Sequence, residues 1–332
     1  MAWPDPILRT AKLLGGLLLC AGVVVGAAVA RDSAAQPTPS KRPAGTSPVS
    51  NTSPVSNTSN TSPVSNTANT ANASLPAVPY LFLEGQVAGS PAVDPRLDDR
   101  FSAPAGATRV AAPPRSFATW LRHLPLLPAG TPVHLFDGRQ KPRQDVHAAV
   151  VALDVPRRDL QQCADAIMRL RAEYLLALGQ PERIAFHPDI GKPNALTYHG
   201  ASRADFMRFM TRVFAEAGSA SLQAELPPRT DDVQPGDVLI QGGHPGHAVL
   251  VLDVAEAPGT GSGSPRRRYL LLGQSYMPAQ QFHVVRNPGD AALSPWYDEA
   301  DLDRPTGLAT PEWRPFVRRD VHRFIDPEPN RP

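Results

Sequence analysis

Apolar and polar positions alternate informatively only after about residue 80, and from there they predict a run of helices followed by a run of strands. Tyr80-Leu81-Phe82-Leu83 reads as a first strand. Ser116 to Arg122 reads as a short helix with Ser116 as N-cap. Val133-His134-Leu135-Phe136 reads as a strand that ends in the turn Asp137-Gly138, and Ala148 to Val155 as another strand. The strongest helix follows. Asp159-Leu160-Gln161-Gln162 has capping-box form, with Asp159 as N-cap. Leu160, Cys163, Ile167, Leu170, Tyr174 and Leu178 then make one apolar stripe, and Gly179-Gln180-Pro181 stops it.

Ser202 opens a second helix, with Asp205 three positions on and an apolar face of Phe206, Phe209, Met210, Val213 and Phe214. After Pro227-Pro228 the period changes. Val238 to Ile240 and Ala248 to Leu252 are short apolar runs flanking Gly242-Gly243-His244-Pro245-Gly246, a strand, turn and strand. Tyr269 to Leu272 and Phe282 to Val285 add two more strands. Helices followed by strands predict an α+β fold with an antiparallel sheet, in a single domain over 80–326, its first part an N-terminal elaboration and 327–332 a tail.

The chain before this domain has a different character. Arg9 and Lys12 precede an uncharged run from Leu13 to Ala30 that ends Ala28-Val29-Ala30. That is the form of a signal peptide over 1–30, with an uncleaved membrane anchor as the alternative reading. Leu17-Leu18-Leu19-Cys20 also resembles a lipoprotein signal, although Leu19 is larger than such signals use. Residues 31–75 are rich in Ser, Thr, Asn and Pro, and Thr-Ser-Pro-Val-Ser-Asn-Thr recurs from Thr46, Thr52 and Thr61. With almost no large apolar side chain, this tract predicts a disordered tether. The expectation is an exported protein of the periplasm or cell envelope. A formal net charge of +2, from 33 basic and 31 acidic residues, gives no sign of nucleic-acid binding. The Arg266-Arg267-Arg268 run reads as a solvated hairpin end.

Export sharpens the cysteine count. The chain has 2 cysteines, and with Cys20 in the leader only Cys163 belongs to the folded domain. A thiol in the first turns of a helix feels the positive end of the helix dipole, which favours thiolate. His247, at the start of a buried strand, is the candidate base. Gln274 or Ser275, at the end of the next strand, is the candidate group to orient it or to assist an oxyanion site. His244, Tyr276 and Trp296 are candidate substrate contacts. No phosphate loop or dinucleotide fingerprint occurs, and no cofactor is implied.

This order of cysteine, histidine and polar group, with Pro235-Gly236-Asp237-Val238 and Gly246-His247-Ala248-Val249-Leu250-Val251, resembles the NlpC-type and CHAP-type cysteine peptidases of bacterial envelopes. The resemblance implies a papain-like core, a helix packed on an antiparallel sheet, and hydrolysis of cell-wall peptides through a Cys163–His247 dyad. A closer resemblance covers about Tyr80 to Ile325. It rests on Leu160-Gln161-Gln162-Cys163-Ala164-Asp165-Ala166, Gln241-Gly242-Gly243-His244-Pro245-Gly246-His247, Gln274-Ser275-Tyr276-Met277-Pro278-Ala279-Gln280 and Ser294-Pro295-Trp296-Tyr297. These blocks resemble a family known as domain of unknown function 4846, which implies no chemistry directly. Two other readings stand beside the hydrolase. In one, the cleft binds an envelope peptide or glycan without catalysis, and Cys163 is a core residue. In the other, His244 and His247 ligate a metal with Asp237 or Asp253.

Overall fold

A computed structural model describes residues 77–84, 94–188, 194–259, 263 and 265–325. Every described residue lies in one compact unit, within Asn69–Pro332. The signal or anchor, the tether and the 327–332 tail therefore fall outside the described residues. Among those described, no helix is long and apolar enough to cross a membrane.

The main helices are α1 (Phe117–Arg122), α2 (Cys163–Ala177), α3 (Arg203–Glu216) and α4 (Ser219–Glu225). The main strands are β1 (His147–Val150), β2 (Asp237–Gln241), β3 (His247–Ala257), β4 (Arg267–Gln274), β5 (His283–Val285), β6 (Trp296–Asp298) and β7 (Val321–Arg323). They form one antiparallel sheet in the order β7-β2-β3-β4-β5-β1. Beyond that path, β6 pairs with β4, and the short strand Thr108–Arg109 pairs with β3. Helices on one side of an antiparallel sheet make the fold α+β.

Strand alternation sorts the core into two layers. Val238, Ile240, Ala248, Leu250, Leu252 and Leu271 pack with α2 in the larger layer. Leu239, Val249, Val251, Leu270 and Leu272 face the other way, under Tyr297, Leu302, Leu308 and Phe316 of the C-terminal segment. A helix thus covers one face and the C-terminal segment the other. β3, buried on both faces, reads as a continuous apolar run for that reason.

The hairpin β2–β3, strands β4 and β5, and α3 with its Ser202 cap match the expectations from sequence. Ser202 Oγ accepts from Asp205 N–H at 3.1 Å, and Asp205 Oδ2 accepts from Ser202 N–H at 3.1 Å. Four expectations are corrected. Leu81–Leu83 is a 3-10 turn, not a strand, because it closes on itself through Leu83 N–H to Tyr80 O. The Val133–Phe136 segment has only isolated bridges, His134 to Gln140 and Leu135 to Gln280. Asp159 is not the cap of α2, which starts at Cys163 with Gln162 as N-cap. Gln162 N–H donates to Asp165 at 3.1 Å, while Asp159 Oδ1 accepts from Ala279 N–H at 2.7 Å, in the loop that follows β4. Arg268, finally, is buried rather than solvated, paired with Glu256 and Glu299 at 2.9 and 2.8 Å.

Candidate functional site

The shift of the helix start places Cys163 at the first helical position of α2, where the main-chain N–H groups have no partner within the helix. There it lines a cleft of about 260 Å³, together with Gln162, Asp165, Ser219, His244, Gly246 and Met277. The thiol is 5% exposed and lies 4.0 Å from Gly246 O, the weak acceptor of its S–H. Ala248 N–H also approaches the sulfur. The sulfur therefore sits against the main chain on both sides of His247. Gly246 permits the close packing of the turn itself: a Cβ there would overlap Ser219 Oγ and lie 2.6 Å from Gly243 N and 2.8 Å from Gln241 O.

Burial opposes the charge that the helix dipole favours. Desolvation, then the Asp165 carboxylate, push the Cys163 thiol up to about 11. The resting group is a thiol, contrary to the thiolate expected from its place on the helix.

His247 belongs to the other layer. By alternation its ring follows Val249 rather than Ala248, and it packs among Tyr276, Trp313 and Phe316, with ring centroids 5.0, 5.1 and 6.3 Å away. Its Nε2 meets Gln274 Oε1 at 2.9 Å, and its Nδ1 is buried without a hydrogen-bond partner. Burial lowers the imidazole to about 4, so it is neutral at pH 7. The thiol meets the main chain on either side of His247 while the imidazole turns to the opposite layer, and no hydrogen bond joins them.

The remaining candidates separate cleanly. Gln274 is the partner of His247. Ser275 is not: its Oγ donates to Gln280 O at 2.8 Å, with Gln161 O at 3.4 Å, and it steadies the loop after β4. Tyr276 packs against the His247 ring, and its hydroxyl donates to Glu312 O at 2.7 Å. His244 is exposed on the cleft wall. Trp296 does not reach the cleft. It is buried on β6, where it pairs with β4 and its Nε1 donates to Ser102 O at 2.9 Å. Among the described residues no group of three His, Cys, Asp or Glu side chains is placed to hold a metal. Asp237 and Asp253 are engaged by Arg323 and by Arg109 with Arg122.

Sequence reading missed the residues behind Gln274. Gln274 Nε2 donates to Glu312 Oε2 at 3.0 Å, and Glu312 Oε1 pairs with Lys141 Nζ at 2.7 Å. Lys141 Nζ also donates to Gln280 Oε1 at 3.1 Å. His283 Nε2 lies 3.4 Å from Gln274 Nε2. Lys141 and Glu312 lie outside helices and strands, in stretches whose local pattern is that of any solvated loop, so no periodic signal marks them. Trp313, the aromatic beside His247, opens the short strand Trp313–Phe316, which is too brief for its period to mark it.

No curated protein and no solved structure matches the chain. A family model does, over residues 97–195 and 192–323, which span Cys163, His247, Gln274 and Glu312. The chain belongs to the family described as Domain of unknown function (4846).

Proposed function

We propose that this is an exported thiol hydrolase of amide bonds, with cell-wall or envelope peptides as its substrate class. The observation that carries the reading is the His247–Gln274 pair at 2.9 Å, which leaves an unpartnered Nδ1 beside the main chain that the Cys163 thiol touches. A nucleophile opening a helix, a base opening an antiparallel strand and an amide on the next strand also support a papain-like arrangement of the NlpC or CHAP type.

In this reading substrate fills the cleft, and the His247 ring must move from the opposite layer for Nδ1 to come within about 3 Å of Sγ. Nδ1 takes the thiol proton as sulfur attacks the carbonyl carbon. The C–N bond then breaks, and His247 returns the proton to the leaving amine. Water hydrolyses the thioester, with His247 again the base. Gln162, which lines the cleft next to Cys163, donates one Nε2–H to Asp159 Oδ1 at 3.0 Å and has the second to offer the oxyanion. The resting pair is neutral, so this is general-base activation rather than a preformed ion pair.

Iodoacetamide alkylation of Cys163 between about pH 5 and pH 9, with His247→Ala alongside, tests the reading. Labelling that precedes unfolding and slows in the variant supports it. Labelling only on unfolding sinks it. It would favour instead a noncatalytic cleft that binds peptide or glycan, for which the buried, protonated thiol and the wholly buried His247 already argue.

A further inference from the structure

The buried polar groups behind His247 are sufficient to decide which ring nitrogen carries its proton. A carboxylate only accepts hydrogen bonds, so Glu312 Oε2 must face the amide nitrogen of Gln274. His283 demands the same. Its Nδ1 lies 2.9 Å from Gln281 O and must donate to that carbonyl, so its Nε2 is a lone pair for the second N–H of Gln274. Both acceptors hold the amide one way round. Its oxygen then faces His247, whose Nε2 must carry the proton. A neutral imidazole has one N–H, which leaves Nδ1 bare.

Reversing the amide would set its oxygen against the Glu312 carboxylate and the His283 lone pair together. Burial makes such a contact costly. Lys141, itself 5% exposed, supplies the opposite charge that a buried carboxylate requires. It also lies over the Tyr276 ring at 5.2 Å, on the side chain that packs against His247.

We infer that Glu312, held by Lys141, is a positioning residue that fixes the orientation of Gln274 and thereby keeps His247 as the Nε2–H tautomer, with Nδ1 free as the base. The catalytic use of that base rests on the proposed hydrolase reading; the tautomer lock does not.

The test uses the chain labelled with ¹⁵N-histidine, in which long-range ¹H–¹⁵N correlations report the tautomer of each ring. Wild-type His247 is expected as Nε2–H. Glu312→Gln keeps the shape but can donate as well as accept; combined with His283→Met, which removes the other acceptor, it frees Gln274 to reverse, whereas His283→Met alone leaves Glu312 holding the amide. An Nδ1–H population is expected to appear, and Cys163 alkylation to slow ~10-fold or more, as a wrong tautomer does in triad enzymes. Adding Gln274→Glu to Glu312→Gln and His283→Met restores an acceptor facing His247 and a donor behind it, with no lone pair left at 283 to oppose the new carboxylate. It is expected to return His247 to Nε2–H and alkylation to near the wild-type rate. A residue with a merely structural role gives no such rescue.

A wild-type ring protonated at Nδ1 overturns the inference even if no variant folds. So does Glu312→Gln with His283→Met whose tautomer is unchanged, or the variant with Gln274→Glu added that stays in the Nδ1–H form. If the tautomer behaves as stated while Cys163 stays unreactive in the folded protein, the lock stands and the hydrolase reading falls.

Discussion

Gln274 Oε1 accepts the Nε2–H of His247 at 2.9 Å, and both side chains have no solvent exposure. Truncation at Gln274 strands two partners at once, the imidazole N–H and Glu312 Oε2. Gln274→Ala is therefore expected to lose about 1–3 kcal/mol of stability by urea unfolding, the cost of buried groups left unpaired. Its Cys163 alkylation is expected to slow as well. A variant as stable and as reactive as wild type would show that the pair orients nothing.

Acid should destabilise the domain through its buried imidazoles. Burial lowers His247 to about 4 and His283 to about 3, from an ordinary 6.5. Below pH 6.5 the unfolded chain binds protons that the native state refuses until those lower values. Their contribution is complete above about 6.5 and is lost as pH falls toward 4 and 3, with a slope of about 1.4 kcal/mol per pH for each imidazole. Urea midpoints should drop over this range, and His283→Met should flatten the slope. The thiol acts at the other end. Raised from 9.0 to about 11, Cys163 contributes fully below pH 9 and loses that contribution as pH climbs through 11.

Trp313 shields the His247 ring, and its Nε1 donates to Gln241 Oε1 at 2.9 Å. Trp313→Ala should admit water and relax the desolvation that lowers the imidazole. NMR titration is expected to find the His247 midpoint higher than in wild type, nearer 6.5. An unmoved midpoint would mean that other groups exclude the water.

Gly246→Ala should disturb the site without touching a reactive group. Its Cβ would meet main-chain atoms of the turn at 2.6 and 2.8 Å, so backbone must shift. The expected cost is about 1–3 kcal/mol, and Gly246 O would move from the Cys163 thiol. Thermal melting and the Cys163 alkylation rate, measured together, check both effects.

Asp253, unexposed on β3, binds Arg109 at 2.6 Å and Arg122 at 2.8 Å. Asp253→Ala would leave two partly buried guanidinium groups without their counter-charge. Breaking a buried ion pair this way costs about 3–5 kcal/mol. A urea midpoint close to wild type would show that the cluster is solvated in the folded state.

Local chemistry determined much of this protein by itself. Cap residues and apolar period specify α3, and the Gly/Pro turn between two apolar runs specifies β2–β3, because neighbours along the chain set those signals. The same reading singled out Cys163, His247 and Gln274, each at the end of an element. Tertiary structure decided how they are used. Asp159 lost the helix cap to Gln162 because its carboxylate is taken by Ala279 N–H, 120 positions away. Trp296 went into the core and Trp313 beside the histidine, a choice made by sheet pairing rather than residue type. The charge states of Cys163 and His247 follow from burial, which no window of sequence contains. Lys141 and Glu312 meet only in the fold: a buried ion pair is defined by the water it excludes, and that exclusion exists only once both layers of the core are packed.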